Sequence, residues 1–75
     1  MGETMKEYAV IYEQGETGWS AYVPDLPICV ATGKTFEQVQ KRITEGIAFH
    51  IQGLEKDGLP VPEPVIRVGI VKVAA

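Results

Sequence analysis

The chain has 75 residues, a length that suits one domain, and its 45% hydrophobic and 23% charged residues are an ordinary globular balance. Its net charge of −3 argues against general binding to nucleic acids or anionic membranes, which favours basic patches. The single cysteine, Cys29, excludes an intrachain disulfide, and together with the single histidine, His50, it leaves too few ligands for a structural zinc site.

Three short strands are predicted in the first half of the chain. Residues 6–14 are rich in aromatic and branched side chains, and residues 19–23 alternate, with the tryptophan and Tyr22 on opposite faces. Two glycines within residues 15–18 indicate a hairpin between these strands. Two prolines then interrupt the pairing because proline has no N–H to donate. The short, branched and apolar stretch at residues 28–32 predicts a third strand.

One long helix is predicted to follow. Thr35 is placed to cap it, because its hydroxyl can accept a hydrogen bond from the backbone N–H of Gln38, whose side chain can reach back to the N–H of Thr35. The helix should end near residues 55–58, where Gly58 suits a left-handed terminal position. Apolar residues recur at spacings of three and four and mark one helical stripe: Phe36, Val39, Ile43, Ile47, Ile51 and Leu54.

The last part of the chain predicts a connector and a fourth strand. Residues 59–64 contain three prolines and should form a stiff, extended connector, and residues 65–73 read as a strand. Residues 1–75 are therefore predicted to be a single α+β domain of two layers, in the order β-β-β-α-β. One helix covers only one sheet face, whereas the first and last strands are apolar on both faces. We therefore expect a second copy to meet the free face or the last strand, as a homo-oligomer.

No group of residues is arranged for catalysis. Nucleophilic catalysis would need Cys29 and His50, which lie on different predicted elements, and a cysteine between apolar neighbours is typical of a core. The acidic residues do not pair at one site for metal-assisted cleavage, and neither a phosphate-binding loop nor a dinucleotide fingerprint is present. We therefore predict no enzyme activity and no cofactor. Trp19 and Tyr22 are either core residues or anchors for another protein, and His50 is either partly buried or an interface residue.

The stretch from Trp19 to Pro64 resembles the HicB-like antitoxin family. The family pattern is an alternating strand into P-D-L-P-G-C, a short strand with a following glycine, a T-x-E-E-A-type helix start, a helix ending in L-x-x-D-G and a P-x-P-x-P connector. The matching residues are Tyr22, Val23, Pro24, Asp25, Leu26, Pro27, Cys29, Gly33, Thr35, Glu37, Glu45, Ile47, Leu54, Asp57, Gly58, Pro60, Pro62, Glu63 and Pro64. One departure is Ile28, a branched residue that disfavours positive φ, where the family usually has glycine.

The resemblance implies a role in a toxin–antitoxin system. Family members bind a small basic HicA toxin, an mRNA-cleaving ribonuclease, and mask its active site. The resemblance also implies a partial ribonuclease-H-like fold and assembly into dimers or tetramers. Many members carry a C-terminal DNA-binding module, for which this sequence leaves no room after its last predicted strand, so we expect no direct DNA binding.

We therefore interpret the protein as an antitoxin that inhibits a HicA-like ribonuclease toxin by direct binding. The residues assigned to partner binding are Trp19, Tyr22, Asp25, Leu26 and His50. The alternative is an orphan binding or structural domain without a HicA partner, since fold does not fix function; a remnant ribonuclease-H-type nuclease is less favoured. No apolar run approaches a membrane span of ~18 residues and no signal peptide is visible. We therefore expect a cytoplasmic protein without a membrane partner.

Overall fold

The fold consists of three strands followed by one helix. The computed structural model describes residues 5–75, so residues 1–4 of the predicted domain lie outside it. The elements are β1 (Ile11–Gln14), β2 (Trp19–Val23), β3 (Leu26–Gly33) and α1 (Phe36–Lys56). The strands form one antiparallel sheet in the order β1-β2-β3. The predicted three antiparallel strands and single helix are confirmed, although β1 begins at residue 11 instead of residue 6.

A tight turn joins β1 to β2, as the two glycines predicted. The N–H of Gly15 donates to the carbonyl of Gly18 at 2.7 Å. A side chain at Gly18 would collide with the backbone carbonyl oxygen of Gly33 on β3. Glycine at this position therefore lets the turn lie directly against the end of β3.

The core lies between the sheet and α1. Its buried residues are Ala21, Val23, Leu26, Cys29, Val39 and Ile43. Residues two apart on β2 share a face, so Ala21 and Val23 both point towards the helix while Tyr22 points away from it. Each fully buried aliphatic side chain of this kind contributes roughly 1.5–3 kcal/mol to folding. The sheet thus has one face covered by α1 and one face that α1 does not cover.

The start of α1 differs from the predicted cap in one hydrogen bond. The Thr35 hydroxyl accepts from the N–H of Gln38 at 3.1 Å, as predicted. The Gln38 side chain, however, accepts from the N–H of Lys34 at 2.7 Å and not from that of Thr35. At the other end, Gly58 has a φ of 69°, and the N–H of Leu59 donates to the carbonyl of Leu54 at 2.8 Å. Glycine can adopt this conformation without steric cost, so it ends the helix.

The bend between β2 and β3 contains a β-bulge and no strained residue. The register shifts between Tyr22 and Val23, so that Tyr22 pairs with Val30 while Val23 pairs with Leu26. Within the described residues, positive φ values occur only at glycines. Ile28 is part of β3, and its side chain is 74% exposed. The branched residue therefore fits, because the bulge makes the bend and position 28 needs no left-handed conformation.

The predicted fourth strand at residues 65–73 is not part of the sheet. In the structure, residues 59–75 form neither strand nor helix, and residues 65–75 are exposed. A high β-propensity describes how side chains fit a pleated surface, and a strand forms only where the backbone reaches a free edge. Side-chain contacts, described below, hold the root of this segment beside the β2–β3 bend. We call residues 67–75 the C-terminal arm.

Candidate functional site

Trp19 belongs to an aromatic cluster at the start of α1. Its ring packs edge-on against Phe36, with ring centroids 5.2 Å apart and an interplanar angle of 71°. Tyr12 packs against the same Phe36 ring at 4.8 Å. Edge-to-face geometry of this kind adds to the gain from burial. Trp19 is therefore partly buried and supports the contact between the sheet and the helix.

Tyr22 lies at the centre of the sheet face that α1 leaves uncovered. Directly paired residues share a face, and Ile11, Tyr22 and Val30 form one such row across all three strands. Tyr22 is 41% exposed and Val30 is 68% exposed. The next row contains Glu13, Ser20 and Thr32. We call these two rows the open face; it combines apolar side chains with a carboxylate.

Asp25 holds the C-terminal segment to the β2–β3 bend. Its carboxylate oxygen Oδ2 accepts hydrogen bonds from the backbone N–H groups of Val65 and Ile66, at 3.1 Å each. The Tyr8 hydroxyl donates to the carbonyl of Pro62 a few residues earlier. We call these three hydrogen bonds the clamp. Asp25 therefore positions the segment from which the C-terminal arm departs.

A charged pair lies beside the clamp. The Lys6 ammonium contacts the Glu63 carboxylate at 2.6 Å, and the Glu63 side chain is 74% exposed. This hydrogen bond is the main cause that raises the pKa of Lys6. Burial raises the pKa of Tyr8, whose hydroxyl donates to the clamp. Exposed ion pairs contribute little to stability, so the clamp depends chiefly on Asp25 and Tyr8.

Leu26 and His50 lie on the other side of the molecule from the open face. Leu26 is 1% exposed and belongs to the core, so its side chain is not available to a partner in this conformation. His50 is partly buried and lines a groove between α1 and β3. The structure therefore does not bring the five predicted residues together as one surface. Of these five residues, Tyr22 is the one that presents an exposed side chain on the open face.

The groove beside His50 is an apolar channel along the free edge of β3. It encloses about 410 Å³. Its lining residues are Ile28, Cys29, Val30, Ile43, Gly46, Phe49, His50, Gly53, Leu54 and Asp57. We call it the edge groove. Phe49 is 78% exposed, and a Cβ at Gly46 or Gly53 would meet nothing within 4 Å. Gly46 and Gly53 therefore leave room along the helix.

Cys29 and His50 both line the edge groove, and Cys29 also belongs to the buried core. The thiol is 6% exposed, and burial raises its pKa. A thiol with a raised pKa remains protonated at neutral pH, whereas a catalytic cysteine needs a lowered one. The predicted core role of Cys29 is confirmed.

Two further findings concern other kinds of site. Among residues 5–75, no three His, Cys, Asp or Glu side chains come together in a way that could hold a metal ion. In the same part of the chain, no helix is both long and apolar enough to cross a membrane.

A second groove, of about 620 Å³, lies at the start of α1, where Arg42 donates to the Thr32 carbonyl at 2.8 Å.

Three antiparallel strands, covered on one face by a single helix, define a small α+β domain with an open sheet face. Comparison with known families identifies the group to which it belongs. A family model described as the HicB_like antitoxin of bacterial toxin-antitoxin systems matches residues 8–71. The chain therefore belongs to the HicB-like antitoxin family, as its motifs predicted.

Several known proteins are similar to this chain over most of its length. A UPF0150 protein of Helicobacter pylori is 39% identical over 49 residues, which are 65% of this chain and 68% of that protein. A UPF0150 protein of Synechocystis is 37% identical over 57 residues, 75% of this chain and 72% of that protein. An uncharacterized 14.9 kDa protein of Haemophilus phage HP1 is 32% identical over 56 residues. The match spans 75% of this chain but only 42% of the phage protein.

Two solved structures share the fold. A chain of a HicA3 and HicB3 toxin-antitoxin complex superimposes with a TM-score of 0.64 and 33% identity, over 76% of this chain and 66% of that one. A crystal structure of the antitoxin HicB3 superimposes with a TM-score of 0.63 and 33% identity, over 76% of this chain and 42% of that one. Both confirm the predicted HicB-like arrangement of the strands and the helix.

Proposed function

We propose that this protein is an antitoxin that binds a small, basic HicA-type ribonuclease and masks its active site. Membership of the HicB-like family supports the proposal, as does the similarity to a chain of a HicA3 and HicB3 complex. The observation that carries it is the open face, an apolar sheet surface that no part of α1 covers. Exposed apolar patches on small domains are typical of protein-interaction sites.

The open face is the surface that we assign to the toxin. Tyr22 lies at its centre, and exposed tyrosines surrounded by smaller apolar residues often dominate the binding energy of an interface. Glu13, one row away, gives the surface a negative charge, and the chain carries a net charge of −3. Such charges favour encounter with a basic partner. Trp19 and Asp25 serve this surface indirectly, the first by supporting β2 and the second by holding the C-terminal segment beside the bend.

The proposal also covers the setting in which the protein acts. A toxin that cleaves mRNA is encountered in the cytoplasm, so we place the antitoxin there as well. The order of three antiparallel strands and a helix is compatible with a partial ribonuclease-H-like scaffold that serves binding and not catalysis. Self-association, predicted from the apolar last segment, is part of the proposal.

Co-expression with a HicA-type toxin tests the proposal. The toxin used is a short basic protein of the HicA type, and we expect the antitoxin to relieve its growth arrest and to co-purify with it. Tyr22→Ala should weaken the complex at least about tenfold, equivalent to ~1.4 kcal/mol. Gln52→Ala, at an exposed position on α1, is the matched control and should leave the affinity unchanged. A toxin that is neither bound nor neutralised by the wild-type chain would refute the function. Equal affinity of both variants would refute only the assigned surface.

A further inference from the structure

A polar groove lies between the β1–β2 turn, the end of β3 and the first turns of α1. Its volume of about 620 Å³ falls within the range of roughly 300–1,000 Å³ that is typical of small-ligand sites. We call it the hairpin groove. Its polar lining residues are Thr17, Ser20, Thr32, Lys34, Gln38 and Arg42. The proposed binding of a toxin gives the two cations of this groove no role.

The hairpin groove carries positive charge that the chain does not neutralise. Lys34 and Arg42 both line it, whereas no Asp or Glu side chain does. Within residues 5–75, the contact between Lys6 and Glu63 is the only ion pair, so neither cation of the groove is paired with a carboxylate. A cleft lined by charges of one sign concentrates ions of the opposite sign. The groove is therefore suited to an anion.

Hydrogen bonds within the chain fix the position of two donors in the groove. Arg42 donates through Nη1 to the carbonyl of Thr32 at 2.8 Å, and the other N–H groups of its planar guanidinium remain for a ligand. The Gln38 side chain accepts from the N–H of Lys34 through Oε1 at 2.7 Å, so its Nε2 group is left to donate. These donors are in place before a ligand arrives, which reduces the entropy cost of binding.

The donors and the aromatic wall of the groove suit a phosphate group attached to a nucleoside. Arginine forms paired hydrogen bonds with phosphate oxygens, and lysine adds a point charge. Phosphate has more oxygens than a carboxylate, so it can accept from Arg42, Lys34 and Gln38 together. Trp19 lines the same groove and is only partly buried. Aromatic side chains stack on nucleobases, so a mononucleotide would use both parts of the groove.

Charge outside the groove disfavours a long polyanion. Glu16 and Glu37 are exposed, and they are the sequence neighbours of Thr17 and Gln38. The chain as a whole carries a net charge of −3. An extended RNA backbone would pass these carboxylates, whereas a single phosphate group inside the groove would not. The net charge that argues against general nucleic-acid binding is therefore compatible with a ligand that carries one phosphate.

We propose that the hairpin groove binds the phosphate group of a mononucleotide. Lys34 and Arg42 are its charged contacts, Gln38 donates a further hydrogen bond, and Trp19 lies beside the base. This inference goes beyond the binding of a toxin and does not depend on it.

The test uses the full chain without a toxin. Trp19 is the single tryptophan of the sequence, so its fluorescence reports on the groove. Adenosine 5′-monophosphate should change this fluorescence in a saturable way below about 1 mM, the upper end of ordinary ligand concentrations. Adenosine, which lacks the phosphate, should have no effect over the same range. Inorganic phosphate should compete with the nucleotide, because it offers the group that the two cations recognise.

Substitutions of the two cations locate the binding site. Lys34→Ala and Arg42→Gln should each weaken nucleotide binding at least about tenfold, since each removes a charge-assisted hydrogen bond. Arg42→Lys keeps the charge but loses the planar fork, so its affinity should be intermediate. Lys56→Ala removes an exposed cation in the last turn of α1 and is the matched control, with unchanged affinity. All four variants change exposed side chains and should keep the circular dichroism of the wild type.

Four results would overturn the proposal. The first is a wild type that does not bind the nucleotide in this range. Equal binding of adenosine would show that the phosphate is not recognised. Unchanged affinity in both Lys34→Ala and Arg42→Gln would show that the nucleotide binds elsewhere. A short single-stranded RNA that binds more tightly than the mononucleotide would rule out the small ligand in favour of a polymer.

Discussion

Replacing Asp25 by alanine should release the C-terminal segment while leaving the sheet and helix folded. The Asp25 carboxylate accepts two of the three clamp hydrogen bonds, from the N–H groups of Val65 and Ile66. Hydrogen bonds to a charged group contribute about 1.5–3 kcal/mol each when sheltered. Val65 is 74% exposed, so water competes for these donors. We therefore expect a loss of about 1–2 kcal/mol for the two bonds together. This corresponds to roughly five- to thirtyfold faster exchange of the two amides.

Amide hydrogen exchange followed by NMR measures this effect residue by residue. Asp25→Asn keeps a neutral oxygen acceptor, so its amides should exchange at a rate between those of the wild type and the alanine variant. Glu45→Gln, an exposed acid on α1, controls for the loss of one negative charge and should leave the Val65 and Ile66 amides unchanged. Unaltered exchange of both amides in Asp25→Ala would show that the carboxylate does not hold this segment.

Further predictions concern two glycines, the helix cap and the buried thiol. Gly33→Ala should lower the free energy of unfolding by about 1–3 kcal/mol, because its Cβ would lie 2.9 Å from the backbone nitrogen of Val39; urea denaturation measures this. Gly53→Ala, in open space on α1, should instead raise stability by roughly 0.5–1 kcal/mol, and two losses of equal size would contradict this account. Thr35→Ala should lower the free energy of unfolding by about 1 kcal/mol, because the helix loses its cap. Helical ellipticity should then be lost at a lower temperature on heating. An unchanged midpoint of this thermal transition would argue against the cap. Burial raises the pKa of the Cys29 thiol in the folded protein. The stability that the buried, protonated thiol contributes is therefore present below the ordinary thiol pKa, and it is lost as the pH rises through the raised pKa. A thiol reagent should label Cys29 slowly in the folded protein and quickly in urea, and rapid labelling of the native state would refute its burial.

The sequence predicted the parts of the fold that depend on nearby residues. Alternation in residues 19–23 placed Tyr22 opposite the buried face of β2, and the spacing of apolar residues in α1 identified Val39 and Ile43 as core positions. These patterns follow the side-chain period of a strand or a helix, so they can be recognised without knowing which residues the element packs against. The helix stop at Gly58 was predicted for the same reason.

The parts that the sequence did not predict depend on distant backbone groups. Asp25 was assigned to partner binding, but its hydrogen-bond donors are the backbone N–H groups of Val65 and Ile66, about which side-chain types carry no information. The fourth strand was predicted from the β-propensity of residues 65–73, but this segment pairs with neither edge of the sheet. The motif at the bend suggested a glycine-like conformation at Ile28, whereas the bulge beside Tyr22 makes the bend.

The clamp also has a consequence for the order in which the molecule is built. Strands β1 to β3 and α1 are sequential neighbours, so each of their pairings closes only a short loop, and low contact order favours rapid folding. The bonds from Asp25 to Val65 and Ile66 instead join residues 40 and 41 positions apart. Closing that longer loop costs more chain entropy. This cost is smaller once the sheet and helix already hold the bend in place. We therefore expect the clamp to form last, as the chain leaves the ribosome, on a body that is already folded.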